Sequence, residues 1–419
     1  MRLLWVTNAV DGLGSQASGV VFPLLLLHLG HSAATAGVFA SAAAFTGVVL
    51  GPLVAVPADR GHRRRIMIAT ALLAALAMAG LATVAAHGGA SFRLLVALAL
   101  TERLCAVAYE AASRGALVHL APPDELPRVA AGIQAGDQVA LIAGPALGGA
   151  LFQLTRPLPF LADAVSYAMT ALGVRAIRTP VDTPHGRHGL RPPAREALRA
   201  LPGAAGAGLA LVARSAVLRL VVTWTAVASG VVTLLSFTAL FVLGADGGTA
   251  STGLVLAASG AAGLLGSLMS VRVVRRFGPR RALVTATWLL LAPLAALTAA
   301  HGPWSFGTAF AGLCLLVPVV TVVLSSAAIA AVPQELQSRA GAVIGSAVGL
   351  AAAGAPAAAA ALTTEVGPRA PAVVCTALVA VLAGYTHAAA RRTPGAATAA
   401  GTHRDDPAPG AEADRERRP

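Results

Sequence analysis

The chain of 419 residues has no lysine, three cysteines, 4% aromatic residues and only 12% charged residues. A soluble globular protein carries roughly a quarter charged residues, so an ordinary water-facing surface is excluded. Without lysine there is no GxxxxGK[ST] phosphate loop, which excludes direct ATP drive by this chain. Cys105, Cys314 and Cys375 fall inside apolar blocks with no CxxC pair, so neither a disulfide framework nor a zinc site is indicated. HExxH and GxSxG are missing too, and the adjacent acids Asp405 and Asp406 lie in a tail without apolar periodicity. A membrane-embedded enzyme is therefore a remote alternative, and no cofactor is implied.

What is present is hydrocarbon: 56% of residues are hydrophobic and the mean hydropathy is +0.74. At about 20 apolar residues per membrane-spanning helix, twelve spans take roughly 240 residues and leave the remainder for loops and tails. The apolar blocks predict spans near 4–28, 33–57, 66–86, 94–120, 130–153, 160–177, 216–242, 252–274, 282–300, 306–330, 340–362 and 371–390. The leading apolar run carries Asn8, Asp11 and Gln16 and lacks a convincing cleavage site, so it reads as a retained helix rather than a signal peptide. Alanine and glycine fill the spans, which lets helix backbones approach closely in lipid.

The net charge of +13 comes from arginines clustered between apolar blocks, not spread over a polar domain, so it reads as membrane topology and not as a nucleic-acid surface. Connectors 58–65 and 275–281 are strongly basic, whereas those near 29–32, 87–91, 243–251 and 301–305 contain no arginine. Arginine in short loops favours the cytoplasm, which places both termini there. Residues 178–215 form a hydrophilic connector rich in proline and arginine, and 194–214 suits a helix on the inner membrane surface. The chain thus divides into a first six-helix bundle (1–177), a linker (178–215), a second bundle (216–390) and a disordered tail (391–419). A repeat supports the division: the basic run 60–65 recurs at 276–281, and Pro123, Glu125, Leu126 and Arg128 recur as Pro333, Glu335, Leu336 and Arg339.

Charge within the spans is the most informative feature, because each ionisable residue near the bilayer centre costs about 2.5–3.5 kcal/mol on insertion scales. The fourth span carries Glu102, Arg103, Glu110 and Arg114. At about 100° per residue, 103, 110 and 114 fall near one line while Glu102 points roughly 100° away, so a stripe of 103, 110 and 114 is expected to face the interior. Glu110 and Arg114 are also spaced as an i,i+4 pair, and an ion pair that only holds the bundle together is the competing reading. The first span has Asn8, Asp11 and Ser15 on one face. Asp11 has no local partner and is the preferred proton carrier, with helix capping or hydrogen bonding as the alternative. Asp137 and Asp163 are second choices. In the seventh span Thr225, Ser229, Thr233 and Ser236 form a polar face, beside which Trp224 and Phe237 offer rings for a planar ligand, although packing is the commoner role of such residues.

Taken together, these segments resemble the major facilitator superfamily, in particular its enterobactin exporter-like and drug efflux branch. The resemblance rests on Pro57, Ala58, Asp59 and Arg60 through Arg65, on Pro123, Glu125 and Leu126, on Gly144-Pro145-Ala-Leu-Gly148-Gly149, and on Pro333, Glu335, Leu336, Arg339 and Gly341. It implies two bundles related by an axis along the membrane normal around a central site, in a bacterial plasma membrane. It implies that Asp59, Arg60, Arg63 and Arg64 latch the bundles, with Arg276 in the weaker second copy, where Arg275 stands in place of the acid. It implies that Gly144, Pro145, Gly148 and Gly149 serve an antiporter-type closure. The departures are His62 in place of the usual glycine and Ala55 in place of an upstream one. The expected function is secondary active export of a small amphiphilic molecule against protons, by a monomer. A nutrient importer of the same fold is the runner-up, and a transporter-like sensor is a further alternative.

Overall fold

The computed structural model describes residues 2–59, 63–87, 91–120, 140, 144, 147–176, 206, 208–245, 249–332 and 336–392. The described residues form helices and short connectors, without strands. In chain order α1 spans Arg2–His28, α2 Ala33–Asp59, α3 Arg63–His87, α4 Phe92–Leu120, α5 residues 147–154 and α6 Leu158–Ala176. The second half follows with α7 Ala216–Ala245, α8 Thr249–Phe277, α9 Pro279–Thr298, α10 Pro303–Ala331, α11 Gln337–Ala361 and α12 Ala370–Arg392. Residues 208–214 are also helical, while linker residues 178–205 and 207 and the tail from 393 lie outside the described residues.

Eight of the described helices are long and apolar enough to cross a membrane, and α4 falls short because of its charges. Large apolar side chains point outward from the bundles, among them Leu76, Leu172, Leu268 and Val381. Such a surface is stable against lipid and not against water. This is a multi-pass membrane protein.

Local chemistry sets the helix boundaries. Gly278 and Gly302 adopt φ of 79° and 85°, a left-handed backbone that suits glycine, and each is followed by a proline that opens the next helix. The basic connector expected at 275–281 therefore shrinks to Gly278. Arg275 and Arg276 end α8, and Arg280 and Arg281 lie in the first turn of α9. Within α9 the helix breaks at Leu290, between segments Pro279–Leu289 and Leu291–Thr298. Pro293 accounts for the break, since its ring excludes the bond to the carbonyl four residues back.

The packing pattern of the first half recurs in the second. α3 packs on α4 and α6 as α9 packs on α10 and α12, α2 on α4 as α8 on α10, and α1 on α6 as α7 on α12. Small residues make the closest crossings. A Cβ on Gly266 of α8 would overlap the Leu315 backbone of α10, and one on Gly148 of α5 would stand 2.6 Å from the Ala17 carbonyl of α1. Gly148→Leu is expected to destabilise the fold by about 1–3 kcal/mol through overpacking, read as a fall in thermal unfolding midpoint in detergent, with Gly341→Ala, where the space is open, as the neutral comparison.

The halves meet mainly along α2 and α11. A Cβ on Gly37 would stand 2.6 Å from the Ala360 Cβ and from the Pro356 carbonyl. Ser41 Oγ accepts a 2.9 Å hydrogen bond from the Ala357 amide. Gly349 meets Val48, and on α7 Gly244 meets Leu24 of α1. One and two turns further along that face of α11, Gly345 and Gly341 have open space in front of them. The seam is thus tight towards the arginine-poor end and opens towards the arginine-rich end.

Candidate functional site

The polar centre of the first half is built by α1, α4 and α6. On α6, Asp163, Ser166, Tyr167 and Thr170 recur at spacings of three and four, and all four are buried. Asp163 is 0% exposed. Its Oδ2 accepts a 2.5 Å hydrogen bond from Ser18 Oγ of α1. Gly14 lies against the same carboxylate, so that any side chain there would displace it. One turn along α6, the Tyr167 hydroxyl donates to Glu102 Oε1 of α4 at 2.6 Å. Ser15 Oγ lies 3.1 Å from the same hydroxyl. A phenol has a single proton to give. With that proton committed to Glu102, Ser15 must be the donor to Tyr167. The three helices are therefore joined by a chain running Ser15, Tyr167, Glu102, with Asp163 and Ser18 beside it.

Glu102 points towards α6, turned away from the stripe of 103, 110 and 114 as the helical angle requires. It is half-buried and tied to α6, whereas Arg103 and Glu110 are exposed. The Arg103 guanidinium lies on α2, its Nε 3.1 Å from where a Cβ of Gly47 would stand. Gly47 precedes Val48, which meets α11, so Arg103 sits beside the seam between the halves. Arg103 thus faces the space beside the seam, while Glu102 is turned into the packing of α4 on α6. Periodicity fixes the angle between two faces of a helix but not which face the neighbours cover. The side chain of Arg114 lies outside the described residues, as do those of Asn8 and Asp11, although all three backbones are helical. Asp11 occupies the helical position one turn before Ser15. Asp137 is not among the described residues.

Asp163 and Tyr167 were undervalued by sequence reasoning. Their signal was the i, i+3, i+4, i+7 pattern of polar residues in a span with no reason to be amphipathic other than an internal polar contact. Ser18 extends the α1 face of Asn8, Asp11 and Ser15 by a further turn.

On α7, Ser229, Thr233 and Phe237 are half-buried, and Phe237 packs on Phe241 at 5.8 Å between ring centroids. Trp224 is 0% exposed in the core. In this conformation it packs and cannot stack a ligand, which corrects the expectation for that residue. Thr225 and Ser236 spend their hydroxyls on carbonyls one turn back, Val221 and Val232.

Among the gating residues, Arg64 donates to the Arg175 carbonyl at the end of α6, 2.6 Å away. That bond satisfies a terminal carbonyl within the first bundle, so this contact does not cross to the second bundle as the latch reading expects. Arg63 is 4% exposed at the start of α3. Arg276 is exposed, its guanidinium 6.0 Å from the ring of Phe277. Gly144, Gly148 and Gly149 are buried helical residues, and Gly148 makes the backbone contact with α1. Arg60 and Pro145, and the side chain of Asp59, lie outside the described residues.

A twelve-helix arrangement with a repeated packing pattern and a central seam narrows the identity sharply, and comparison of the sequence decides it. Residues 4–328 match the Major Facilitator Superfamily. The chain belongs to that family. No curated protein matches the sequence. Solved members of the family share the fold at low identity. A bacterial homologue of the iron transporter ferroportin, in an inward-facing state, superimposes with a TM-score of 0.71 at 16% identity, over 93% of this chain and 98% of that one. A POT family transporter in complex with 5-aminolevulinic acid gives 0.69 at 11% identity, over 93% and 96%. The human organic anion transporter MFSD10 gives 0.64 at 18%, over 92% and 98%. As a member of this family the protein is a transporter and not an enzyme, with a small molecule as its cargo.

Proposed function

We propose that the protein is a proton-coupled exporter of a small amphiphilic molecule, working as a monomer by alternating access in a bacterial plasma membrane with both termini cytoplasmic. One observation carries the coupling: Glu102 is held by Tyr167 and, through it, by Ser15. A proton delivered from the Asp11 turn of α1 can pass along two hydroxyls to Glu102 by short hops. The helices it joins, α1, α4 and α6, belong to the first bundle, which a rocking motion carries as a unit against the second. Coupling is assigned to this half because residues 216–392 hold three acids: Glu365, in the last turn that follows α11, and Asp246 and Glu335, which fall between the spans expected from the sequence and lie outside the described residues.

Arg103 and Glu110, exposed on α4, serve as charged groups of the cavity, with Arg114 further along the same face. Asn8, Ser15, Ser229, Thr233 and Phe237 are proposed to line the cargo site. The segment Asp59, Arg60, Arg63 and Arg64, with Arg276 opposite, is proposed to govern closure of the arginine-rich end, and the run Gly144, Pro145, Gly148 and Gly149 to serve an antiporter-type closure of the bundle. With that end cytoplasmic, the wedge beside Gly341 and Gly345 corresponds to an inward-open state, as in the inward-facing ferroportin homologue. Export, as against import, rests on the likeness of these motifs to the exporter branch.

The test is uptake of ethidium, as a fluorescent amphiphilic probe, into proteoliposomes under an imposed pH gradient, inside acid. One proton exchanged per cargo supports about tenfold accumulation per pH unit, and a protonophore should abolish it. Uptake that ignores the protonophore would leave facilitated passage and remove antiport. Accumulation driven only by a gradient of the opposite sign, inside alkaline, would favour symport.

A further inference from the structure

A cavity of about 530 Å³ opens at the arginine-rich end of the second bundle, away from the seam, where the α8–α9 corner meets the last turns of α12. Arg280, Arg281 and Arg391 line it together with His387, Phe277 and Gly278. No aspartate or glutamate occurs in residues 247–334 or 366–404, so neither flanking stretch supplies a counter-charge. Arg280 and Arg281 occupy the first turn of α9, where the positive end of the helix dipole disfavours cations. Gly278 provides no side-chain cap there, and the amides of residues 280 and 281 precede the first intrahelical bond, which is made by Ala282 to the Gly278 carbonyl. His387 Nδ1 is buried without a hydrogen-bond partner. Three arginines thus line one space beside a helix N-terminus, with no acid among the lining residues. Further into the membrane, Trp288 and Leu289 on α9 and Val381 on α12 are exposed and apolar.

We propose that this cavity is a binding site for an anionic phospholipid. The headgroup phosphate accepts from the Arg280, Arg281 and Arg391 guanidinia and from the first-turn amides of α9, and the acyl chains lie along the exposed apolar faces of α9 and α12. The bound lipid neutralises the charge that the first turn of α9 otherwise carries against its own dipole and ties the α8–α9 corner to α12. Basic pockets between membrane helices on the cytoplasmic side suit this ligand class. The site stands on the membrane setting alone and does not depend on the direction or coupling of transport.

The experiment uses the full-length protein purified in neutral detergent, titrated with phosphatidylglycerol, with phosphatidylcholine or with inorganic phosphate, and read by native mass spectrometry and by thermal unfolding. Phosphatidylglycerol is expected to bind and raise the unfolding midpoint, phosphatidylcholine to bind at least about tenfold more weakly, and inorganic phosphate at millimolar concentration to leave the midpoint unchanged. Arg280→Gln with Arg281→Gln should lower phosphatidylglycerol affinity about tenfold or more. The matched Arg→Lys pair should keep most of it, and Arg369→Gln, at the opposite end of the bundle, all of it. Equal binding of the two lipids, or equal loss in the Arg369 variant, overturns the site. An equal midpoint shift from inorganic phosphate overturns the lipid assignment. The lipid-free unfolding midpoint of each variant separates misfolding from lost binding.

Discussion

Glu102→Gln is expected to abolish cargo accumulation driven by a pH gradient, lowering it by about tenfold or more, while exchange of cargo down its own gradient continues. Glutamine keeps the shape of the side chain and an oxygen that accepts from Tyr167, so the tie between α4 and α6 survives. What disappears is the ability to take up and release a proton. The paired measurement in proteoliposomes, gradient-driven uptake against counterflow, separates the two. Equal loss in both would make Glu102 a structural residue, and no loss in either would remove it from coupling. Tyr167→Phe supplies the companion result. It cuts the hydroxyl chain between Ser15 and Glu102 without changing the ring, and it should slow gradient-driven uptake while sparing counterflow.

Locking the seam should have an effect of similar size. Ser41 Oγ lies 2.9 Å from the Ala357 amide. A sulfur placed at 41 therefore faces residue 357 within reach of the separations that a disulfide or a short bis-thiol reagent spans. In a background with Cys105, Cys314 and Cys375 replaced, Ser41→Cys with Ala357→Cys is expected to cross-link readily. Turnover should then fall by about tenfold or more and return on reduction, because alternating access requires the tight end of the seam to part. Each single-cysteine variant should transport normally under the same oxidant. Full activity of the cross-linked form would mean that α2 and α11 do not separate at this level during the cycle.

Much of the scaffold was readable in the sequence because hydrocarbon solvent leaves few options. Apolar blocks of helical length had to be helices. The basic connector at 275–281 was misjudged for a local reason. Arginine is a good helix former, and the Gly278-Pro279 pair confines the turn to one residue, so the cationic cluster lies on helix ends. The site was legible as a set of residue types but not as an arrangement. Periodicity separates the face of Glu102 from that of Arg103, but only the position of Tyr167 on another helix shows that Glu102 is the one tied into the bundle. Asp163 carried a pattern that could have been read, whereas burial of Trp224 depends on how α7 is rotated in its bundle, which no single helix encodes.

The polar face of α6 is mostly apolar in α12, where Cys375, Val379, Leu382 and Ala383 are buried and Thr386 is the buried polar residue. Evolution can therefore rework the later helices for a new passenger without disturbing the machinery that harvests energy. Chimeras that exchange residues 216–392 with those of a sister carrier should inherit its taste in compounds while keeping the original fuel.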